Sequence, residues 1–507
     1  MSDVRTNAEL TEATAAGLPW LTLARVVTEL VLLASMVVLA RLIPPSAFGM
    51  FAVAVIVQEL AVNVPSEGVG SALVQRREID RGHLQGGLAL SLVVGIGLTA
   101  VALLLSAVLV QPLFGDDTAF LFALTTPWFM LGAVLALPLA VLRRRLDFRL
   151  LSLVTVTGNL VRSVSSVVFA VALGLDAEAL VLGGLVGMTS MVVLALFVAP
   201  VPLPRWRRQA VRDLLPYGGP ASLASVCWVG FRNGDYAIVG ARLGATQAGF
   251  YWRGFQLAVE YQRKISSVMT QVAFPVLSRT AGVEEMFELR QRMVRLLTVV
   301  IFPLLASLVL LAPTVVPWVF GPAWEPAVLP TQILAGAGAA TVVIDAVGSA
   351  LMAAGRARAM LLYGLAHFAV YAAAVFFAAG FGLGAVAVAA VVVHTTFLIV
   401  AYQLLLRGRT ERVLRFLWGD VSAATVSCVA LVCVGLPVDL ALDQAAASPF
   451  VRTVAVGAAC GVGYLAALRI WFPSAWHDLT VLVRRVIPMR PLRAAARRVP
   501  AHAGRPS

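Results

Sequence analysis

Residues 40–51 read Ala-Arg-Leu-Ile-Pro-Pro-Ser-Ala-Phe-Gly-Met-Phe, and residues 241–251 read Ala-Arg-Leu-Gly-Ala-Thr-Gln-Ala-Gly-Phe-Tyr. Each stretch closes one long apolar run, turns, and opens the next. Arg41 and Arg242 stand 201 residues apart, the length of about six transmembrane helices at roughly 20 residues each plus connections. Two echoes follow in the same order. Leu113-Phe114-Gly115-Asp116 precedes the fourth apolar run and Val319-Phe320-Gly321-Pro322 the tenth, 206 residues on. Arg143-Arg144-Arg145 follows the fourth run and Arg356-Ala357-Arg358 the tenth, 213 residues on. Three matches in one order predict two homologous six-helix halves of like orientation, related by an axis along the membrane normal. The alternative is that all helix–turn–helix exits in Ala-rich membrane proteins look alike.

The 507 residues are 60% hydrophobic and 13% charged, with a mean hydropathy of +0.90. Soluble proteins carry about twice that charged fraction. Lipid offers the backbone no hydrogen bonds, so only helices and closed barrels cross it. The apolar runs are too long and too uniform for barrel strands, which predicts an all-α polytopic bundle. Cys227, Cys428, Cys433 and Cys460 all lie within apolar runs, without metal-ligand spacing, and read as small core residues. The first 17 residues are polar and the first run carries Arg25 and Glu29, so no cleavable leader is expected.

Fourteen spans are predicted: 18–42, 47–65, 84–110, 118–142, 150–174, 178–199, 214–241, 247–272, 293–319, 327–352, 359–380, 382–406, 417–437 and 449–471. They group as an N-terminal lobe (1–213), a C-terminal lobe (214–415), a final helix pair (416–472) and a basic tail (473–507). The longest loop, 273–292, is charged and is expected to carry a short surface helix. Alternate loops split the basic residues 29 to 3, with both termini on the rich side. That asymmetry predicts cytoplasmic termini, and a missed helix would scramble it. An anionic leaflet attracts basic residues such as those of the tail, although a disordered anchor without a ligand accounts for the tail equally.

Ionisable side chains within spans are costly and mark polar paths or pairs. Here they gather in spans 1, 2, 7 and 8: Arg25 and Glu29; Gln58, Glu59 and Asn63; Arg232 and Asp235; Arg253, Glu260, Arg263 and Lys264. Arg162 in span 5 and Asp345 in span 10 complete the set. The four residues of span 8 fall on one stripe, at offsets of 7, 3 and 4 from Glu260. Spans 1, 2, 7 and 8 are the first pair of each half, so these charges are expected to line a cleft between the lobes. Arginine there suits phosphate oxygens. The plainer alternative is that Arg25–Glu29, Arg232–Asp235 and Glu260–Lys264 neutralise each other within their own helices. Arg253 has no such partner nearby in sequence and ranks first as a functional cation. His367 and His394 are isolated in sequence and read as packed or hydrogen-bonded residues. No nucleotide-binding loop occurs, and no long loop on the sparsely charged side carries the carboxylates or histidines of a membrane glycosyltransferase.

Several stretches resemble one family. They are Ala40–Phe51, Glu67-Gly-Val-Gly-Ser-Ala-Leu-Val-Gln-Arg76, Arg143-Arg-Arg-Leu-Asp-Phe-Arg149, Phe231-Arg-Asn-Gly-Asp235 with Gly240–Gly244, Gly249-Phe-Tyr251 and Phe274-Pro-Val-Leu-Ser-Arg279. In this order they resemble the Wzx-type and WzxC-like oligosaccharide flippases of the multidrug/oligosaccharidyl-lipid/polysaccharide (MOP) superfamily. The stretches cover most of residues 20–330, and the helix count carries the resemblance onward. It implies a MATE-like transporter of two pseudo-symmetric six-helix lobes plus two C-terminal helices, working by alternating access. The implied substrate is an undecaprenyl-pyrophosphate-linked oligosaccharide, moved to the outer leaflet of the inner membrane for exopolysaccharide, O-antigen or capsule synthesis. Polysaccharide polymerase and glycosyltransferases are implied as further partners.

On that resemblance, cleft cations hold the pyrophosphate, and the matching candidates are Arg253, Arg232, Arg25, Arg263 and Lys264. Glu29, Glu59, Asp235 and Glu260 are the candidates for the coupling ion. No enzymatic activity, cofactor, metal or nucleic acid is implied. A lipid II flippase and a drug/ion antiporter stay open within the same fold. A polysaccharide-assembly scaffold or glycosyltransferase stays open outside it.

Overall fold

The computed structural model describes residues 26–264, 266, 283–407 and 412–486. Among these there is no strand. We number the helices α1 (26–42), α2 (Pro45–Gln75), α3 (Arg81–Phe114), α4 (Asp116–Arg145), α5 (Phe148–Leu173), α6 (Ala177–Val198), α7 (Arg208–Leu243), α8 (245–264), α9 (Val283–Phe320), α10 (Pro322–Ala353), α11 (Ala357–Ala378), α12 (Leu383–Leu405), α13 (Val413–Gln444), α14 (Pro449–Trp471) and α15 (Pro473–Val486). Eleven of them, α2–α6 and α9–α14, are long and apolar enough to cross a membrane. The other three expected spans fall on α1, α7 and α8. Residue Arg25 and most of the expected loop 273–292 lie outside the described residues. Large apolar side chains such as Ile96, Val171, Phe197, Phe377 and Val462 face outward, as they do when lipid is the solvent.

The repeat echoes mark turns. Gly115 (φ 86°, ψ 172°) ends α3 and Gly321 (φ 104°, ψ 159°) ends α9, a backbone region essentially closed to side chains with a Cβ. Only glycine lets the chain reverse so tightly there, which is why Leu-Phe-Gly and Val-Phe-Gly recur.

The chain divides into two compact units. The first comprises residues up to Glu260 with Ala312–Ala337 and Leu362–His394. Its core runs through Phe48, Phe51, Trp128, Phe129, Phe250, Phe320 and Trp324. Here α2 packs against α7 and α8, with no side chain between α2 and α8 at their closest point. A Cβ at Gly49 would overlap the Ala245 carbonyl oxygen, and a Cβ at Gly249 would overlap that of Pro45. The pairs are reciprocal: residue i meets i + 200 in both directions, as on a twofold axis. Around this crossing, Arg41 Nε donates to Val319 O at 2.8 Å and Arg41 Nη2 to Trp318 O. Trp324 Nε1 donates to Ala40 O at 2.8 Å.

The second unit comprises Tyr261–Leu311, Gly338–Leu361 and the chain from Thr395 onward. Its core joins α9, α13, α14 and α15 through Val299, Ala424, Leu431, Cys460, Tyr464 and Leu468. Two expectations are corrected here. Residues 283–292 belong to no loop: they are the first turns of a continuous 38-residue helix, α9. The reason is Arg290, 1% exposed, which makes a bidentate bond to Asp420 of α13 at 2.7 and 3.2 Å. Tyr402 donates to the same carboxylate at 2.5 Å. The segment from Pro473 begins as an amphipathic helix, not as plain tail. Ala475, Trp476 and Leu479 pack on the core, and Asp478 pairs with Arg292 at 2.6 Å. Residues 487–507 lie outside the described residues. At the far end of α13, Arg452 makes a bidentate bond to Asp439 at 2.6 and 2.9 Å and also pairs with Asp443.

Candidate functional site

Three charged side chains from three helices of the first unit meet. Arg232 Nη2 of α7 lies 2.7 Å from Glu260 Oε2 of α8 and 3.8 Å from Glu59 Oε1 of α2. Asn233 Nδ2 donates to Glu59 Oε2 at 3.0 Å and to Val229 O at 3.0 Å. The Arg232 side chain is 31% exposed, so water and solutes reach it. Glu59 lies 14 residues beyond Pro45, Glu260 15 beyond Ala245, and Arg232 11 before Leu243. At 1.5 Å per residue all three sit about 16–22 Å from the same helix ends. That depth falls inside an apolar layer about 30 Å thick.

Helix α8 contains a π-helical turn over Gln256–Glu260, which inserts one residue. The repeat register is 200 at Gly49/Gly249 and becomes 201 past that turn, so Glu59 and Glu260 are repeat equivalents. One arginine therefore joins two symmetry-related carboxylates. Arg232 forms no ion pair with Asp235, the partner its own helix offers.

Asp235 belongs to a separate buried cluster of the same unit. It is 3% exposed and accepts from Tyr251 Oη, Tyr371 Oη and the Tyr236 N–H, each at 3.0 Å. The Tyr371 ring meets His394 at 5.0 Å, and His394 meets His367 at 4.9 Å. His394 Nδ1 lies 2.7 Å from Ala390 O, and since a carbonyl only accepts, Nδ1 carries the hydrogen. The two histidines, isolated in sequence, are neighbours in space. Sequence reasoning missed this because Tyr251 and Tyr371 looked apolar and the pairing joins α7, α8, α11 and α12 across 120 residues or more.

Arg253, first in rank on sequence grounds, is 0% exposed. Its guanidinium carbon lies 4.8 Å from the Phe48 ring, 4.9 Å from Phe320, 4.7 Å from Trp324 and 5.6 Å from Trp252, and Nη1 donates to Gln256 Oε1 at 3.1 Å. Such a desolvated cation over aromatic faces gains about 2 kcal/mol or more. It sits at the α2–α8 crossing and closes it. Glu29 is half-buried on α1. Arg263 and Lys264 open the second unit; Lys264 Nζ lies 5.2 Å from the Tyr261 ring, and Arg263 is within electrostatic range of Asp345. Among the described residues no three His, Cys, Asp or Glu side chains converge to hold a metal.

The arrangement can hold and release an anion. Arg232 offers five donors, of which its carboxylate neighbours occupy only part, and the site is wet on one side and apolar around.

Comparison with known proteins places this geometry. A capsule-region protein of Klebsiella pneumoniae, described as an uncharacterized membrane protein, is 27% identical over 325 residues, spanning 63% of this chain and 66% of the relative. The lipopolysaccharide biosynthesis protein WzxC of Escherichia coli is 28% identical over 353 residues, 68% of this chain and 71% of the relative. The teichuronic acid biosynthesis protein TuaB of Bacillus subtilis is 27% identical over 60% of this chain and 65% of the relative. The chain thus matches just under two thirds of the length of the first and third of these. Among solved structures, the lipid II flippase MurJ in an inward closed conformation superposes with a TM-score of 0.69 at 13% identity, covering 89% of this chain and 98% of MurJ. An inward-facing MATE-family multidrug transporter of the MOP superfamily gives 0.57 at 17% identity, covering 78% and 95%. The fold is that of MOP-superfamily transporters, and the model of the polysaccharide biosynthesis proteins matches residues 38–329, more than half of the chain: the chain belongs to the polysaccharide biosynthesis protein family.

Proposed function

We propose that the protein is a flippase that carries an undecaprenyl-pyrophosphate-linked oligosaccharide from the cytoplasmic to the outer leaflet of the inner membrane. The observation that carries the proposal is the half-exposed Arg232, held between two repeat-equivalent carboxylates at mid-depth in otherwise apolar helices. A sugar headgroup cannot enter lipid, because its hydroxyls would lose their hydrogen bonds. A polar gap lets it pass while the prenyl chain stays in lipid.

In this reading the pyrophosphate competes with Glu260 and Glu59 for the Arg232 guanidinium. A displaced carboxylate then takes a proton or cation, so substrate and ion exchange at one place. Arg253 acts on the closure at the α2–α8 crossing and reaches a headgroup only when that crossing opens. The 29-to-3 split of basic residues favours cytoplasmic termini. No bond is made or broken, so the protein is a transporter and not an enzyme. Glycosyltransferases upstream and a polymerase downstream are its functional partners.

Reconstitution tests this. Proteoliposomes holding the lipid-linked oligosaccharide are expected to move the headgroup across without forming glycosidic bonds. New glycosidic bonds, or no movement by protein of native fold, overturn the proposal.

A further inference from the structure

A second polar cavity lies outside the spans, at the surface where α3 and α7 begin. Its volume is about 730 Å³, and it is lined by Asp80, Arg81, His83, Arg205, Arg207 and Gln209, among others. That volume lies within the range of ligand sites, roughly 300–1,000 Å³, and exceeds the need of a lone phosphate.

The walls are fixed. The Arg205 N–H donates to Gln85 O at 3.3 Å, and Arg207 Nε donates to Gln85 Oε1 at 3.4 Å. Gly86 lets the segment approach: a Cβ there would stand 2.6 Å from Ala210 Cβ and 3.3 Å from Arg207 Cβ. Pro200, Pro202 and Pro204 hold the incoming chain extended.

The charge of the cavity is unbalanced. Asp80 Oδ1 takes the His83 N–H at 2.7 Å and His83 Nδ1 at 2.6 Å. The His83 backbone N–H, and next its side chain, hold the Asp80 carboxyl below its ordinary value. Asp213, just outside, is taken by Arg76 at 3.3 Å and His83 Nε2 at 3.2 Å. Among the described residues Arg81, Arg205 and Arg207 form no ion pair. Three guanidinium groups thus face a preformed cavity whose nearby carboxylates are committed elsewhere. Beside them, Leu203 is 82% and Trp206 54% exposed, an apolar and an amphipathic side chain at the level where aromatic residues meet headgroups.

We propose that the α2–α3 and α6–α7 turns form an anion site, separate from the Arg232 site, that takes a phosphate-bearing group presented at the membrane surface. Arginine forks match phosphate oxygens, and the flanking Leu203 and Trp206 suit a phosphate with an acyl anchor. The site does not depend on the transport reading.

The test places full-length protein in nanodiscs of phosphatidylcholine with phosphatidylglycerol and counts retained lipid by native mass spectrometry. Arg205→Gln/Arg207→Gln is expected to retain phosphatidylglycerol about tenfold less well, at about 1 kcal/mol per basic residue near an anionic surface. Arg81→Gln alone is expected to give a smaller loss. Arg77→Gln/Arg145→Gln removes the same charge outside the cavity and is expected to change nothing. In a parallel arm, glycerol 3-phosphate is added and arginine modification at 205 and 207 is followed. Protection by glycerol 3-phosphate without lipid enrichment keeps the phosphate site and assigns it to a soluble ligand. Equal lipid retention by wild type and cavity variant, with no protection, overturns the proposal. So does an equal loss in both double variants, which would reduce the effect to net charge.

Discussion

Replacing Arg232 by Ala removes the one cation that Glu59 and Glu260 share. At 2.7 and 3.8 Å and an effective dielectric of about 20, the two attractions amount to about 6 and about 4 kcal/mol before solvation. The arginine side chain is 31% exposed, so water screens both, and desolvation offsets much of the rest. A net loss of about 1–3 kcal/mol in folding stability is what remains. Transport is expected to fall further, because a charge-assisted bond to phosphate is worth about 1.5–3 kcal/mol, or about 10–100-fold in rate or affinity. Arg232→Lys keeps the charge but presents a single point where a fork spans two carboxylates, and is expected to fall between. Glu260→Gln should match the stability loss while keeping more transport. The measurements are thermal unfolding in detergent and headgroup translocation in proteoliposomes at equal protein density. Wild-type translocation by Arg232→Ala would refute the reasoning, whatever its stability.

Asp420→Ala leaves Arg290 buried without its carboxylate, and denaturation in detergent should show a loss of about 3–5 kcal/mol; Arg290→Met/Asp420→Leu should recover most of it. Gly249→Ala forces α2 and α8 apart at the Pro45 carbonyl. An overpacking penalty of about 1–3 kcal/mol is expected, with cross-linking between cysteines placed at 46 and 247 reporting the separation. Arg253→Lys keeps the charge but cannot lie flat against four rings, so the same cross-link should weaken while the protein still folds. The Asp80 carboxyl titrates below its ordinary value of 3.8 when folded. Its cap on α3 is therefore fully present above that value and is lost as pH falls through the lower, folded one. Hydrogen exchange at residues 82–84 should accelerate only below about pH 4.

The fold was readable because its determinants are local. Apolar length sets each helix, and Gly115 and Gly321 mark turns that only glycine can make. The repeat was readable as far as Arg41 and Arg242, but the reciprocal contact of Gly49 and Gly249 needed three dimensions. Of the site, Glu59, Arg232 and Glu260 were named from the cost of burying charge. Their mutual pairing was not, because an i,i+3 neighbour such as Asp235 looks like the nearer partner in sequence. Arg290 was counted as a loop charge, since nothing in its own helix reveals Asp420, 130 residues away. Arg253 was misjudged for a similar reason. A cation without a carboxylate nearby in sequence suggests an incoming anion, whereas aromatic rings from α2, α8 and the α9–α10 turn surround it.

The bare meeting of α2 and α8 has one more consequence. Most helix contacts interlock side chains, and moving them means lifting knobs out of holes and resetting rotamers. Where Gly49 and Gly249 lie directly on opposing carbonyls, nothing interlocks, and rotation meets little mechanical resistance. The two repeats thus touch through a smooth bearing set on their own symmetry axis, a place about which a hinge can turn without either half having to repack.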